Sequence, residues 1–285
     1  LANAFAQSHV IYFCYAEHAA GGGGRIAVAR AQLDGNACAP RLVAVKTIFH
    51  QQGPASRGLN IGCRMVQASD GNLFVTLGDH FSAARMAQTL DNDIGKIIRI
   101  RPDGSAPPDN PFVGRKDALP EIWAYGLRNA EGLAFNPANG ALWEQEHGPM
   151  GGDEINIIEK GKNYGWPVVS FGVNYDGTPV GTGKQHHEGM ADPVWHWTPS
   201  IAPSGMAFYT GDLFPQWRGS VFVGALKGEM LVRLMLDGNQ VVGEEHLRHK
   251  EVAQRIRDVR QGPGGALYIL TDDDKNGRLL RLTPG

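Results

Sequence analysis

Short apolar runs recur along this chain, and each ends at a turn rich in Gly, Pro, Asn or Asp. β-branched and aromatic residues dominate the runs, which is typical of β-strands bounded by turn residues. Asp70-Gly71, Asp103-Gly104 and Asp237-Gly238 are examples of these turns. The pattern predicts five strand–turn–strand units: Val10–Tyr15 with Ile26–Leu33, Leu73–Leu77 with Lys96–Ile100, Ala141–Gln145 with Glu154–Ile158, Ser220–Leu226 with Glu229–Met235, and Ala266–Leu270 with Arg278–Leu282.

Helical periodicity is almost absent, and only Ser82–Leu90 indicates a short helix. The five units begin roughly 45–80 residues apart, which is longer than one hairpin and close to one four-stranded blade with insertions. We therefore predict an all-β propeller that forms a single domain over residues 1–285. An array of β-sandwiches is the alternative architecture.

Composition excludes several classes of protein. The chain has 285 residues, 42% of them hydrophobic and 20% charged, which is typical of a globular domain. A net charge of −2 argues against non-specific nucleic-acid binding, and no apolar run reaches the length of about 18 residues that a membrane helix needs. The three cysteines, Cys14, Cys38 and Cys63, contain no Cys-x-x-Cys pair, so a zinc site is not expected. A Cys14–Cys38 disulfide is conceivable, and the odd count leaves a free thiol.

Residues 125–167 concentrate the polar chemistry of the chain. They contain Arg128-Asn129, Glu146-His147-Gly148-Pro149, Asp153-Glu154 and the aromatic turn Tyr164-Gly165-Trp166-Pro167. Turn residues around each cluster put carbonyls and carboxylates on tight loops, where they can face one ligand. Oxygen ligands of this kind suit Ca²⁺ next to an anionic cofactor. The alternative is a glycine-rich β-hairpin with polar turns.

The same stretch closely resembles the soluble aldose dehydrogenases that use pyrroloquinoline quinone (PQQ), the glucose/sorbosone dehydrogenase family. Three blocks of that family, G-x-R-N-x-x-G-L-A-F, E-x-G-P-x-x-x-D-E-I-N and G-x-N-Y-G-W-P, occur in order and with the family spacing, and the resemblance continues to Leu282. It implies a six-bladed propeller that binds PQQ and Ca²⁺ and oxidises aldose sugars. Family members carry further residues before this chain begins, so we expect a truncated N-terminus and an incomplete first blade.

The resemblance also implies roles for individual residues. The catalytic residues would be Asn60, Asp79 and Arg128. The residues that contact PQQ would be Arg128, Asn129, Trp197, Ser200, Lys227, Arg255 and Arg257. One Ca²⁺ would take the carbonyls of Gly148 and Pro149, and a second would take Asp153, Glu154 and the Tyr164 carbonyl.

The residues themselves support part of this assignment. Arg255 and Arg257 alternate along a predicted strand, so their guanidinium groups share one face, and such groups bind carboxylates in a bidentate manner. A solvated edge strand is the alternative for the two arginines, and a surface turn is the alternative for Lys227. Trp197 either covers a cofactor or substrate ring or packs in the core, and Ser200 could donate to a carboxylate.

The expected general base is missing. The family places a His in an H-x-G-x-R motif, and here that motif reads Asn60-Ile61-Gly62-Cys63-Arg64. An Asn amide can hydrogen-bond to a hydroxyl but cannot accept its proton at neutral pH. Three interpretations remain open: a weak or inactive relative that still binds PQQ, another base such as Asp79, His80 or His50, or a local substitution in a working enzyme.

Two functions from different classes follow. The first is a PQQ- and Ca²⁺-dependent oxidation of aldoses at C1 to lactones, in the periplasm or outside the cell, with an unknown electron acceptor. The second is a catalytically impaired propeller that binds a ligand or a protein partner. A Ca²⁺-dependent lactonase is disfavoured by Lys227, Arg255 and Arg257. A nicotinamide enzyme is disfavoured because no strand–GxGxxG–helix unit is present.

Overall fold

A computed structural model describes residues 1–19, 22–36, 38–248 and 252–284, and strands dominate it. The chain divides into two compact units. The first unit comprises Leu1–Asn129 and Glu159–Pro167, and the second comprises Ala130–Ile158 and Val168–Gly285. The chain therefore leaves the first unit after residue 129 and returns to it for one short segment.

The first unit contains two antiparallel sheets. A four-residue helix, α1 (Phe5–Ser8), precedes them. The first sheet has the order β1 (Val10–His18), β2 (Gly24–Asp34) and β3 (Arg41–His50). The second has the order β4 (Gly62–Gln67), β5 (Leu73–Leu77), β6 (Lys96–Ile100) and β7 (Ile122–Tyr125), with a 3-10 helix at Ala84–Gln88. All five residues of β5 and of β6 are buried, so these two strands form the centre of the unit.

The second unit contains three antiparallel sheets. The strands of the first are β8 (Ala130–Phe135), β9 (Leu142–Glu146), β10 (Asp153–Ile158) and β11 (Trp195–Trp197). Those of the second are β12 (Pro203–Phe208), β13 (Val221–Ala225), β14 (Met230–Asp237) and β15 (Gln240–Leu247). Those of the third are β16 (Ile256–Gln261), β17 (Leu267–Thr271) and β18 (Leu279–Leu282). Short 3-10 helices lie at Pro215–Trp217 and Pro263–Gly265.

The pattern of apolar runs predicted this architecture well. Each of the five predicted strand pairs is an antiparallel neighbour pair, namely β1–β2, β5–β6, β9–β10, β13–β14 and β17–β18. The all-β prediction and the propeller fold are confirmed, with each sheet forming one blade. The described residues form five such sheets, so the sixth blade and the incomplete first blade stay predictions. The predicted helix at Ser82–Leu90 is a five-residue 3-10 turn instead.

The cysteine pairing differs from the Cys14–Cys38 bridge considered above. Cys14 on β1 is joined to Cys63 on β4, and Cys38 is an exposed free thiol. Sequence spacing cannot identify this pair, because the two cysteines approach only when the first two sheets pack together. The disulfide fixes the start of β4, which directly follows Asn60.

Close backbone approach shapes the loop that carries Asn60. Asn60, His80 and Phe81 all have positive φ, at 48°, 55° and 61°, and Asn and His tolerate this region better than most residues. A Cβ at Gly78 would lie 1.9 Å from the Asn60 carbonyl oxygen, so only glycine fits there. The ends of β4 and β5 are thereby held against each other, with Asn60 and Asp79 adjacent.

Candidate active site

In the first unit, Asn60 and Asp79 form a direct hydrogen-bonded pair. The Asn60 amide Nδ2 donates to Asp79 Oδ1 over 2.9 Å. The Phe81 backbone N–H donates to the same oxygen over 2.8 Å, and the Trp166 indole Nε1 donates to Asp79 Oδ2 over 2.8 Å. The Asp79 side chain is only 1% exposed. A buried carboxylate with donors on both oxygens keeps a fixed orientation.

Arg128 and Asn129 are attached to this pair through the backbone and through Trp166. The Asp79 N–H donates to the Arg128 carbonyl over 2.7 Å, and the Arg128 guanidinium carbon lies 5.3 Å from the centroid of the Trp166 ring. The Gly62 N–H donates to Asn129 Oδ1 over 3.0 Å. Both side chains are about 4% exposed. The structure thus brings together the three predicted catalytic residues and one predicted cofactor residue, Asn129.

The two histidines considered as replacement bases are engaged elsewhere. His50 Nδ1 lies 2.6 Å from Glu17 Oε1 in a surface ion pair. His80 is 2% exposed, and its two ring nitrogens lie 2.8 Å from the Pro54 carbonyl and 3.1 Å from Gln51 Oε1. Burial lowers the pKa of His80 below its ordinary value. Neither ring contacts Asn60 through its side chain, whereas Asp79 does.

In the second unit, Asp153 organises the turn that begins at Gly148. Its Oδ1 accepts the Gly148 N–H over 2.9 Å, and its Oδ2 accepts the N–H groups of Ile201 and Ala202 over 2.8 and 2.9 Å. The Ser200 hydroxyl donates to the same carboxylate over 2.8 Å. Asp153 is fully buried. Ser200 was predicted to donate to a cofactor carboxylate, and in this structure its hydroxyl meets the Asp153 carboxylate.

The Gly148 turn gathers backbone oxygens. A Cβ added at Gly148 would lie 2.2 Å from the Gly151 carbonyl oxygen and 2.3 Å from that of Gly152. Pro149 is buried within the same turn. Carbonyl oxygens are ligands that Ca²⁺ accepts readily. The carbonyls that approach Gly148 are those of Gly151 and Gly152, and ligation by the carbonyls of Gly148 and Pro149 stays a prediction.

Glu154 belongs to a buried acidic group that the sequence analysis missed. Glu154 lies opposite Glu146, and Asn156 lies opposite Glu144, across the β9–β10 pair. Burial first, and then the neighbouring Glu146, raise the pKa values of Glu144 and Glu154 well above their ordinary range. Glu144 Oε1 and Asn156 Oδ1 have no hydrogen-bond partner within the part of the chain that the structure describes. Strand alternation, Glu-x-Glu facing Glu-x-Asn, is the signal that could have found this group.

These side chains do not form a metal centre by themselves. Among residues 1–19, 22–36, 38–248 and 252–284, no three His, Cys, Asp or Glu side chains converge closely enough to hold a metal ion. A Ca²⁺ ion in this unit would therefore need backbone carbonyls in addition to carboxylates. The oxygens of Glu144 and Asn156 and, separately, the carbonyls of the Gly148 turn are donors of the type that Ca²⁺ accepts.

Tyr164, the remaining predicted metal ligand, lies in the first unit. Its side chain is 4% exposed, and its hydroxyl accepts the Glu159 N–H over 2.7 Å. Its own N–H donates to the Tyr125 carbonyl over 2.9 Å. The role of the Tyr164 carbonyl as a ligand stays a prediction.

The two predicted cofactor arginines meet the same carboxylate, although Arg255 precedes β16 and a register shift lies between Ile256 and Asp258, so strand alternation does not account for the pairing. Arg255 and Arg257 both contact Asp272 Oδ2, over 3.2 and 2.8 Å, and Arg257 also contacts Glu131 Oε2 over 3.0 Å. Hydrogen bonding to Arg257 is the largest influence that lowers the pKa of Asp272. The sequence analysis missed both carboxylates. They balance the arginine charge, although the described contacts use only part of the five N–H donors on each guanidinium.

Trp197 and Lys227 occupy contrasting surroundings. Trp197 is 6% exposed in the hydrophobic core of the second unit, and its indole N–H donates to Glu244 Oε1 over 3.1 Å. Lys227 is exposed on the turn between β13 and β14, and its backbone N–H donates to the Ile201 carbonyl over 3.0 Å. Packing explains Trp197 without a ligand, so its contact with a cofactor stays a prediction. The exposed Lys227 ammonium is accessible to an anion.

The chain is similar over its whole length to several known sugar dehydrogenases. The chain is 42% identical to the aldose sugar dehydrogenase YliI of Escherichia coli strain K12 over 285 residues, which cover all of this chain and 76% of that protein. A crystal structure of a glucose dehydrogenase matches with a TM-score of 0.95 and 44% identity, covering 100% of this chain and 81% of the other. The PQQ-bound aldose sugar dehydrogenase of Streptomyces coelicolor matches with a TM-score of 0.77 and 28% identity, covering 99% and 78%.

The family model described as glucose/sorbosone dehydrogenase matches residues 1–281, almost the whole chain. That extent includes the Asn60–Asp79 pair, the Arg128-Asn129 pair and the Gly148 turn described above. The chain therefore belongs to the glucose/sorbosone dehydrogenase family.

Proposed function

We propose that this protein is a PQQ- and Ca²⁺-dependent dehydrogenase that oxidises aldose sugars at C1 to lactones. The observation that carries the proposal is the buried Asp79 carboxylate, which is hydrogen-bonded to Asn60 and linked to Arg128. A homologous aldose sugar dehydrogenase with PQQ bound supports the choice of cofactor. Oxygen-rich groups around Gly148 and Glu154 support the choice of Ca²⁺.

The chemistry requires the sugar to lose a hydride from C1 and a proton from the C1 hydroxyl. PQQ, when bound, supplies a quinone that accepts the hydride. In the proposed mechanism Asn60 orients the hydroxyl through its amide, and the Asp79 carboxylate takes the proton. Arg128 places positive charge where negative charge develops during the reaction. Loss of both hydrogens leaves the C1 carbonyl of the lactone.

The remaining assignments concern binding. Lys227, Arg255 and Arg257 would hold cofactor carboxylates, with Asn129, Trp197 and Ser200 as further contacts. Gly148 and Pro149 would hold one Ca²⁺ through their carbonyls, and Asp153, Glu154 and Tyr164 would contribute to a second. Asp153 would act mainly by fixing the Gly148 turn, because backbone N–H groups already occupy its oxygens.

The second candidate function is a catalytically impaired propeller that still binds PQQ, another ligand or a protein. Asn60 favours it, because the family position of the base carries an amide here. The carboxylates on Arg255 and Arg257 also favour it, because an anionic cofactor must compete with Asp272 and Glu131.

We propose a periplasmic or extracellular location for the protein. The Cys14–Cys63 disulfide supports it, since such bonds persist in oxidising compartments. Thiol titration of the unreduced denatured protein should find one thiol, Cys38, and a count of three would contradict the location. No helix in the described part of the chain is long and apolar enough to cross a membrane.

Dye-coupled glucose oxidation tests the function, using purified protein with added PQQ and Ca²⁺. The native chain is compared with Asn60→His, because His tolerates the positive φ of this residue. Asn139→His, on an exposed turn of the second unit, is the control for adding an imidazole. We expect turnover in the native chain and an increase of about 10²-fold or more in Asn60→His.

Three outcomes separate the two candidates. Turnover in both proteins supports Asp79 as the native proton acceptor. Turnover in Asn60→His alone shows a cofactor site whose base is missing, which supports the impaired propeller. No turnover in either, with no change in PQQ absorbance on mixing, contradicts the dehydrogenase function.

A further inference from the structure

Trp166 lies between the two charged side chains of the first-unit site. Its indole Nε1 donates to Asp79 Oδ2 over 2.8 Å. The Arg128 guanidinium carbon lies 5.3 Å from the centroid of its ring, a distance at which a cation is attracted to an indole face. One side chain thus contacts a buried anion with its edge and a buried cation with its ring.

Hydrogen bonds to its backbone fix the turn that carries Trp166. Gln88 Nε2 donates to the Trp166 carbonyl over 2.7 Å, and the Trp166 N–H donates to the Gly126 carbonyl over 2.8 Å. Gln88 and Asn163 form a reciprocal amide pair, with distances of 3.0 and 2.7 Å. A Cβ at Gly126 would lie 2.1 Å from Asn163 Oδ1, so the fit tolerates no side chain there. These contacts fix the backbone of Trp166, so the indole extends from a fixed position toward Asp79.

The two carboxylate oxygens of Asp79 accept hydrogen bonds from different donors, and this makes the orientation of Asp79 depend on the indole. Oδ1 accepts hydrogen bonds from both the Asn60 amide and the Phe81 N–H, whereas Oδ2 accepts one from Trp166 Nε1. Rotation of the carboxylate about its Cβ–Cγ bond is therefore resisted on the Oδ2 side by Trp166. Small misplacement of a reacting group lowers rates by as much as about 100-fold.

We propose that Trp166 is the positioning residue of this site, and the proposal rests on the dehydrogenase function proposed above. The indole N–H fixes the Asp79 carboxylate toward Asn60, and the indole face fixes the Arg128 guanidinium. Trp166 thereby sets the geometry between the proton acceptor and the group that stabilises developing negative charge. It does not itself exchange a proton with the substrate.

The kinetic test uses Trp166→Phe, which keeps an aromatic face and removes the N–H. Trp123→Phe is the matched control. Trp123 belongs to the same unit, and the Arg99 guanidinium carbon lies 5.1 Å from the centroid of its ring. With PQQ and Ca²⁺ present, kcat of Trp166→Phe should fall about 10- to 100-fold while KM changes less than about threefold. Trp123→Phe should retain the native kcat. Native kcat in Trp166→Phe, or an equal loss in both variants, overturns the proposal.

A spectroscopic test examines the contacts of Trp166 with Asp79 and Arg128, and it does not require the protein to turn over substrate. The chain has six Trp residues, so a ¹H–¹⁵N spectrum contains six indole cross-peaks, and the one lost in Trp166→Phe belongs to Trp166. Asp79→Asn should move that peak and leave the Trp123 peak in place. Trp166→Ala should move the Arg128 Nε–Hε peak, since the ring current is lost. Unmoved peaks overturn the positioning role, whereas moved peaks in a protein without turnover support the contacts and refute only the dehydrogenase function.

Discussion

Two buried aspartates anchor two turns of this protein, and they are held by different kinds of donor. Asp79 in the first unit accepts hydrogen bonds from two side chains, Asn60 and Trp166, and from one backbone N–H. Asp153 in the second unit accepts three backbone N–H groups and the Ser200 hydroxyl. Their exposures are 1% and 0%, so burial does not distinguish them.

The difference indicates which aspartate can take part in chemistry. Backbone donors are present whatever the side chains are, so the Asp153 turn persists through sequence change and serves to shape the loop at Gly148. Side-chain donors can be exchanged one at a time, so the surroundings of Asp79 can be tuned. Asn60 is one of these side-chain donors, and its amide supplies a hydrogen bond to Asp79.

The largest expected effect is on turnover in Asp79→Asn. The amide cannot accept a proton, so kcat should fall about 10³-fold in the native chain, and also in Asn60→His if Asp79 orients the imidazole. Dye-coupled oxidation measures this effect, with Asp91→Asn as an exposed control from the same unit. A variant that keeps more than a tenth of the native rate would show that the proton goes elsewhere.

Asp153→Asn should instead act on stability. The new NH₂ group would face backbone N–H donors, which leaves buried groups unsatisfied, and the free energy of unfolding should fall by about 3 kcal/mol or more. Urea unfolding followed by fluorescence measures this change. If the variant unfolds at the native midpoint, the hydrogen bonds at Asp153 do not hold the turn.

A third buried aspartate, Asp93, sharpens the comparison because its donors are few. Its Oδ2 accepts the Gln52 N–H over 2.8 Å, and its Oδ1 has no hydrogen-bond partner among the described residues. Burial, with help from Glu121, raises the pKa of Asp93 to about 8. The folded chain therefore keeps a proton on Asp93 up to a pH of about 8, whereas the unfolded chain releases it near pH 4. The free energy of unfolding should fall as the pH rises between these two values.

Asp93→Asn removes that titration. Between pH 5 and 7 Asp93 should lower the free energy of unfolding of the native chain by at most about 1.4 kcal/mol for each unit that the pH rises. This decrease should be absent from Asp93→Asn. Lys96, whose pKa burial lowers to about 7, begins to lose its proton only at the upper end of this pH range. Urea midpoints at three pH values measure the slope, and Asp91→Asn should leave it unchanged. Equal slopes in native and Asp93→Asn proteins would show that Asp93 is ionised in the folded state.

The smallest expected effect is that of Ser200→Ala. The variant removes one of the four donors to Asp153 and leaves the three backbone N–H groups in place. The free energy of unfolding should fall by about 1 kcal/mol, in contrast to the loss in Asp153→Asn. The same urea experiment measures both, and equal losses in the two variants would refute the dominance of backbone donors.

The fold was predictable from the sequence because its information is local. Alternating apolar runs and Asp-Gly turns located five hairpins, and the order of the family blocks located Arg128, Asn129 and the Gly148 turn. Arg255 and Arg257 do contact one carboxylate, but Arg255 precedes β16, so the expected alternation along one strand does not explain their proximity.

Contacts between distant segments were not predictable in the same way. The Cys14–Cys63 bond, the carboxylate partners of Arg257 and the indole donor to Asp79 each join residues far apart in the chain. Nothing in the local pattern at Trp166 specifies that its N–H meets a carboxylate. Such pairings arise only when sheets pack, and this is also why the role of Trp166 was missed.

The return of residues 159–167 to the first unit has a consequence for synthesis on the ribosome. Asp79 and its indole donor Trp166 are separated by 87 residues, and the strands β8, β9 and β10 of the second unit are made between them. At typical elongation rates the interval is roughly 4 to 17 seconds. The strands β6 and β7 are also made within that time, so all four strands of the sheet β4–β7 are synthesised before Trp166. The contact between Trp166 and Asp79 is therefore among the last contacts of the first unit to form in the nascent chain.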